Sequence, residues 1–372
     1  MAGLAPRLLA ILMLLAALGG CASRLEGGGY LWQSVSGHLD LLRRAQPIEQ
    51  VISDPATDPA LAEKLRYAQT ARSFAVTELR LPDNGSYTRY SALARDHVLW
   101  NVFAAPELSL ELERWCFPVA GCIGYRGYYD QADARAFADT LKARGLDVRV
   151  GGVPAYSTLG WFDDPLTSAM MRYPKSEVAR IVFHELAHQI VYVKGDTTFN
   201  ESFATAVERL GIERWLARAA ARGEDQTERA RYQDYQGRRL DFLALLRDTR
   251  AQLAALYADT SRDDSAKRRG KTAILAQMRE RYEALKASRW QGWAGYDRWF
   301  EEPVGNAHLA AVGAYHDRVD AFIAMFMAAG EDFERFYVAV RALAELSAGA
   351  RNAELDALQH KAEQVAGLRA GP

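Results

Sequence analysis

His184 and His188 bracket a glutamate in His184-Glu185-Leu186-Ala187-His188, and at α-helical spacing the two imidazoles face the same way, so that both can grip one metal ion. Gln189 extends the run to HELAHQ. Asn200-Glu201-Ser202-Phe203-Ala204 follows after a short loop, and Glu201 offers a carboxylate that a helix-loop-helix can fold back onto the same ion. Glu208, two helical turns further on, and Asp196, in the intervening loop, are the other acids within reach. Glu201 is therefore the nominated third ligand. Glu208 is read as the acceptor that orients a ligand imidazole, with Thr205 on the same face as a further helper. Two histidines and one carboxylate leave one place for water around a four-coordinate zinc ion, which brings the pKa of that water toward about 7. Glu185, beside the ion, is placed to take the proton and deliver it to a leaving amine. The competing reading, two packed core histidines with a salt-bridged glutamate, leaves the nearby Glu201 without a role.

The elements that must hold these residues follow from periodicity. A helix is expected from Ser176, as cap, to about Lys194, with Glu177 in its first turn, Gly195 at its stop and the histidines in its middle. Val178, Ile181, Val182, Leu186, Ile190 and Val193 make it apolar on most sides, hence buried. Phe199 to about Leu216 forms its partner, with Asn200 as cap. Upstream, Tyr30 to Gln50 has a helical rhythm broken at Pro47, and Pro59 to Arg80 reads as a helix closed by the turn residues 81–85. A small mixed sheet is expected within residues 97–162, from Val98 to Phe103, Gly124 to Tyr129, Asp147 to Val150 and an extended Tyr156 to Phe162, with a helix from Asp130 to Arg144 between them. Asp163-Asp164-Pro165 stops the last of these.

Downstream, residues 224–290 read as an antiparallel helical hairpin interrupted between Asp259 and Gly270, with charges of both signs interleaved as on a solvated face. One helix covers Ala307 to Ala329 and another Glu331 to Ala366, broken near Gly349. The fold class is thus α+β and predominantly helical: a small mixed β-sheet beside the active-site helix pair, plus the long hairpin. Residues 30–372 form a single domain divided into 30–165, 166–216 and 217–372.

The chain has 372 residues, ample for a full core, and its formal charge of −1 leaves no basic excess with which to wrap nucleic acid. Arg7 precedes an apolar run from Leu8 to Leu18 that is short for a bilayer span, so residues 1–20 read as a signal peptide. The run ends in Leu18-Gly19-Gly20-Cys21, which resembles the lipobox of bacterial lipoproteins, in which the cysteine is acylated and leads the mature chain. A lipid anchor at Cys21 and a tether to Gly29 follow, each buried methylene contributing about 0.8 kcal/mol. Ala22, where an aspartate favours inner-membrane retention in enteric-type bacteria, points to the outer membrane facing the periplasm. Cys116 and Cys122 are the remaining pair. They are expected to form a disulfide that stabilises a local turn by roughly 2 kcal/mol, the alternative being two inert buried thiols.

At HELAHQ and NESFA the chain resembles the zinc aminopeptidases of the aminopeptidase N family, whose second element reads NEGFA. More closely, these motifs, the stretch from Tyr156 to Pro165, and Asn306-Ala307 through Tyr315 look like a family of bacterial lipoproteins classed as aminopeptidases. The resemblance implies His184, His188 and Glu201 as zinc ligands and Glu185 as base, on a gluzincin-like framework, although the gap from His188 to Glu201 is shorter than in aminopeptidase N. Such enzymes use a tyrosine or histidine as oxyanion donor, for which Tyr315 is the first candidate and His308 and His316 the others. They also pair substrate with an extended edge strand before the metal helix, a place held in sequence order by Gly160, Trp161, Asp163 and Asp164. Asp163 or Asp164 would hold a substrate ammonium, unless Asp-Asp-Pro merely turns the chain. The expectation is a zinc-dependent peptide hydrolase, an aminopeptidase of the bacterial envelope. The alternatives are an endopeptidase acting on envelope proteins, or a scaffold with a structural or vestigial zinc site that binds a protein partner through the 224–290 hairpin.

Overall fold

Helices dominate the chain, and among the described residues an aspartate caps the start of five of them. The computed structural model describes residues 26–117, 120–223 and 226–369; the signal peptide and Cys21 lie outside these residues. In chain order the elements before the metal motif are α1 (Glu26–Arg44), β1 (Gln46–Pro47), α2 (Ile48–Ser53), α3 (Pro59–Leu79), β2 (Arg89–Ser91), β3 (Leu99–Pro106), β4 (Trp115–Phe117), β5 (Gly121–Ile123), β6 (Arg126–Tyr128), α4 (Gln131–Ala143), β7 (Leu146–Val153) and β8 (Leu166–Thr167). From the motif onward they are α5 (Lys175–Ala187), α6 (Thr197–Ala221), α7 (Gln226–Ala258), α8 (Asp264–Ser288), α9 (Asn306–His316), α10 (Val319–Ala328), α11 (Phe333–Ala344) and α12 (Ala348–Arg369). No helix among the described residues is long and apolar enough to cross a membrane. Residues 26–40, the leading part of α1, belong to a separate unit; Gly27 to Gly29, expected as tether, lie in that helix's first turn. The described residues from Leu41 onward form the second unit.

Asp58, Asp130, Asp263 and Asp332 accept backbone N–H groups at the starts of α3, α4, α8 and α11, which satisfies donors that each helix leaves open. Two three-stranded sheets and a two-stranded ribbon carry the β content among the described residues. β3 lies between β6 and β7, antiparallel to both, and β2 pairs antiparallel with β1 and parallel with β8. β4 and β5 make a separate ribbon in which Cys116 and Cys122 face each other and are joined by a disulfide. The main core gathers α3, α5, α6, α10 and α11 around Phe74, Phe183, Phe203, Phe322 and Phe336, while a second cluster around Phe242, Tyr282 and Trp290 ties the α7–α8 hairpin together.

Three expectations are corrected. Residues 156–162 form no strand: Leu159 (φ +57°) and Gly160 (φ +79°) turn the chain, and Thr158 bonds with its hydroxyl to Phe162 and Asp164. These local side-chain bonds displace a ladder, and the sheet's edge is β7 instead. The expected helix 307–329 is two, α9 and α10, parted at Asp317 and Arg318. The metal helix stops at Ala187, so His184 sits in its last turn and His188 is its C-cap rather than both lying mid-helix.

Candidate metal centre

The short α5 is a consequence of the loop that follows it. After His188 the backbone tightens, with Gln189 and Ile190 donating to Leu186 and Ala187 at 3.1 and 2.9 Å. Asn200, expected as the cap of α6, instead reaches back to Val193, accepting from its N–H at 2.7 Å and donating to its carbonyl at 2.8 Å. Gly195 supplies a left-handed φ of +81°. Asp196 then caps α6 through the Phe199 N–H at 3.0 Å and is itself held by Arg351 at 2.7 Å, which commits it elsewhere than to a metal. At the other end of α5 the Ser176 side chain is no cap; Glu228 of α7 accepts the Ser176 N–H at 3.0 Å, an acid at the positive end of the helix.

This fold-back brings three donors together. His184 Nε2 and His188 Nε2 lie 3.2 Å apart, and Glu201 Oε2 is 3.3 and 3.6 Å from them. Bonds of about 2.0–2.1 Å to a tetrahedral ion separate its ligands by about 3.3 Å, so the donor set fits zinc in both chemistry and spacing. Among the described residues these are the one group of such side chains poised to hold a metal. Their side chains are only 9–12% exposed. Burial pushes the His184 imidazolium down, but hydrogen bonds with Glu201 and Glu208 outweigh it and carry it up to about 10. Burial likewise opposes ionisation of Glu201, yet the facing His188 and His184 hold its carboxyl at about 2.

Behind the donors stands a buried relay. Glu208 Oε2 lies 3.0 Å from His184 Nδ1, leaving Nε2 of that ring for the metal. The other Glu208 oxygen bonds Arg180, with Arg239 at 3.5 Å, and Arg180 also pairs with Glu177 at 2.8 Å. Despite burial, Arg180 and His184 keep the Glu208 carboxyl well below the usual carboxylate range. His188 has no such support: its buried Nδ1 has no partner among the described residues. Thr205 is buried and makes no hydrogen bond to either ring.

Glu185 is buried beside the donors, and burial raises its carboxyl above the ordinary value. The Tyr315 ring lies nearly parallel to that of His184, 6.4 Å between centroids, and burial lifts its phenol well above the ordinary value, keeping it a donor. His308 is elsewhere, packed on Trp299 and accepting from the Gly305 N–H at 3.3 Å. His316 lines a cavity with Thr205 and Arg239. Both are held down to about 3, by burial first and then by neighbouring arginines.

Of the remaining nominees, Gly160 packs against the Gln189 side chain, Trp161 is 67% exposed and Asp163 is exposed. Asp164 is buried, accepting from the Thr158 N–H and hydroxyl through Oδ2 while Oδ1 has no partner among the described residues. Burial first, then the Glu185 charge, pushes it up to about 7. Tyr87, which sequence reasoning passed over, is buried next to this acid. Its N–H donates to the Asp164 carbonyl at 2.6 Å, its φ is +63°, and its buried hydroxyl is unpartnered among the described residues. Arg180 was also missed, although its spacing of four before His184 places it on the ligand face. Gln189 clamps the neighbouring loop, accepting from Asn84 at 2.6 Å and donating to Ser86 at 3.3 Å.

Two buried imidazoles and a carboxylate that could hold a metal ion, with an acid and a phenol at their side, are a set of groups that metal-assisted hydrolysis can use. Residues 29–355 match the family described as "Putative aminopeptidase", and the chain belongs to that family. No curated protein and no solved structure matches it.

Proposed function

We propose that this chain is a zinc-dependent peptide hydrolase that removes amino-terminal residues and is anchored by lipid at Cys21 in the bacterial envelope, at the outer membrane facing the periplasm. The convergence of His184 Nε2, His188 Nε2 and Glu201 Oε2 within 3.6 Å carries the metal reading, and membership of an aminopeptidase-described family supports the peptide bond as target. A divalent ion held by these donors supplies Lewis acidity toward a carbonyl oxygen and acidifies water. Glu185 accepts the proton of the attacking water and passes it to the amine that leaves. Tyr315 donates its phenolic proton in a hydrogen bond to the oxyanion that develops at the carbonyl. Asp164, whose bare Oδ1 has no cation of its own among the described residues, pairs with the substrate's terminal ammonium, in preference to the exposed Asp163. The Ser-less ribbon closed by Cys116 and Cys122 suits an oxidising compartment, and the Leu18 to Cys21 run supports the lipid anchor.

Glu185→Gln tests the assignment. The purified variant is expected to keep its metal by elemental analysis while losing about 10²–10⁴-fold in peptide turnover. Undiminished turnover sinks the role of Glu185, and loss of neither metal nor activity in Glu201→Gln sinks the centre itself. Peptides with acetylated amino termini are expected to resist; equal cleavage of both forms would make the enzyme an endopeptidase.

A further inference from the structure

The charges of α7, expected to form a solvated face, are not distributed evenly around the helix. One face, recurring at Arg229, Tyr232, Gln236, Arg239, Leu243, Arg247 and Arg250, lines a cavity of about 880 Å³ whose opposite walls come from α6, α9, α10 and α12. Arg209 of α6 brings the arginines on its walls to five, against three acids, Glu213, Asp317 and Asp320. The acids are already engaged. Arg209 pairs with Glu213 at 3.7 Å and Asp320 at 3.4 Å, and Arg250 makes two bonds to Asp317 at 2.6 and 2.9 Å. Arg239 turns to Glu208. Arg229 and Arg247 are left without an acid or a hydrogen-bond acceptor among the described residues, so the cavity carries two uncompensated cations.

Their spacing selects the ligand. The two lie 18 residues apart on one helix, about 27 Å along its axis, which no single phosphate or carboxylate can bridge. Between them the wall is mixed: Gln233 and Gln236 stand nearer Arg229, while Leu240, 52% exposed, Leu243 and Ala244 make an apolar stretch nearer Arg247. A bare polyanion leaves that apolar stretch unmatched, whereas a polypeptide with acids at intervals and apolar side chains between them satisfies both. We propose that this cavity is a docking groove for an extended acidic peptide segment of another protein, with Arg229 and Arg247 fixing its two ends. None of His184, Glu185, His188 and Glu201 lines the groove, so it stands apart from the hydrolase reading.

The test is fluorescence anisotropy with a labelled twelve-residue peptide of glutamate and leucine, using the full chain carrying Glu185→Gln so that the probe survives. Saturable binding that weakens with salt is expected, together with little binding of the matched lysine and leucine peptide. Arg229→Glu with Arg247→Glu is expected to weaken it at least tenfold, and Arg281→Glu, outside the groove, to leave it unchanged. The gentler pair Arg229→Ala with Arg247→Ala gives the same ranking should the charge reversal lower the melting temperature. Equal binding of the acidic peptide to wild type and variants, or no saturable binding, overturns the proposal. Competition by sulfate against chloride at equal ionic strength overturns the peptide in favour of a small-anion site.

Discussion

Arg180 and Glu208 in the α5–α6 pair, and Arg281 and Asp248 in the α7–α8 hairpin, are ion pairs of the same chemistry in opposite settings. The first keeps side-chain exposures of 15% and 4%, the second 42% and 50% at 2.9 Å. Water screens the hairpin pair, and its two long side chains lose freedom in meeting, so it stabilises by at most about 1 kcal/mol. The buried pair sits where desolvation is severe, and there each member exists to neutralise the other and to aim His184. Charge in the hairpin serves solvation; charge behind the metal donors serves geometry.

The comparison breaks most visibly at Glu208. Glu208→Ala leaves the buried Arg180 with Glu177 as its one remaining acid and is expected to cost about 3 kcal/mol in urea unfolding. With the His184 ring unsupported, it also weakens metal affinity roughly 10–100-fold in competition with a chelator. Next comes Asp164. Its folded pKa, about 7, lies above the ordinary 3.8, so the stability it lends is complete below pH 3.8 and is lost as pH rises through 7. Wild type is therefore expected to lose on the order of 2–4 kcal/mol relative to Asp164→Asn between pH 4 and 7.5, and a pH-independent difference would disprove the shift. Asn200→Ala removes both bonds to Val193 and is expected to cost about 1–3 kcal/mol, with looser metal retention because the loop no longer fixes His188 against Glu201. In the hairpin, Asp248→Asn is expected to move stability by less than about 0.5 kcal/mol; a loss above 2 kcal/mol would erase the contrast between the two regions.

What was legible in the sequence followed from periodicity and capping. The apolar positions of 178–186 marked a buried helix, Pro59 and Asp130 marked the starts of α3 and α4, and interleaved charge marked the hairpin. The metal donors were legible because helical spacing and a second acidic motif are local facts. What escaped depends on contacts across the chain. Asn200 looked like a cap because it opens an apolar run, but its bond to Val193 exists only once the loop has closed. Residues 156–162 looked extended by composition, yet Thr158 and Asp164 found each other first. Tyr87 carried no mark at all, since its place beside Asp164 is set by a fold-level encounter. The groove face of α7 was present as a helical recurrence of arginines, and was hidden only by the acids on the helix's other sides.

Ending α5 at His188 has a mechanical consequence. The last turn presents the negative end of the helix dipole, which favours a cation, whereas a mid-helix pair would meet a neutral stretch of backbone. It also makes the two imidazoles unequal partners. His184 is riveted to a rod and braced from behind, while His188 rides at the hinge between rod and strap, with one nitrogen unbraced. A metal ion held here would have one ligand ring aimed from behind by an acid and another whose direction only the loop sets.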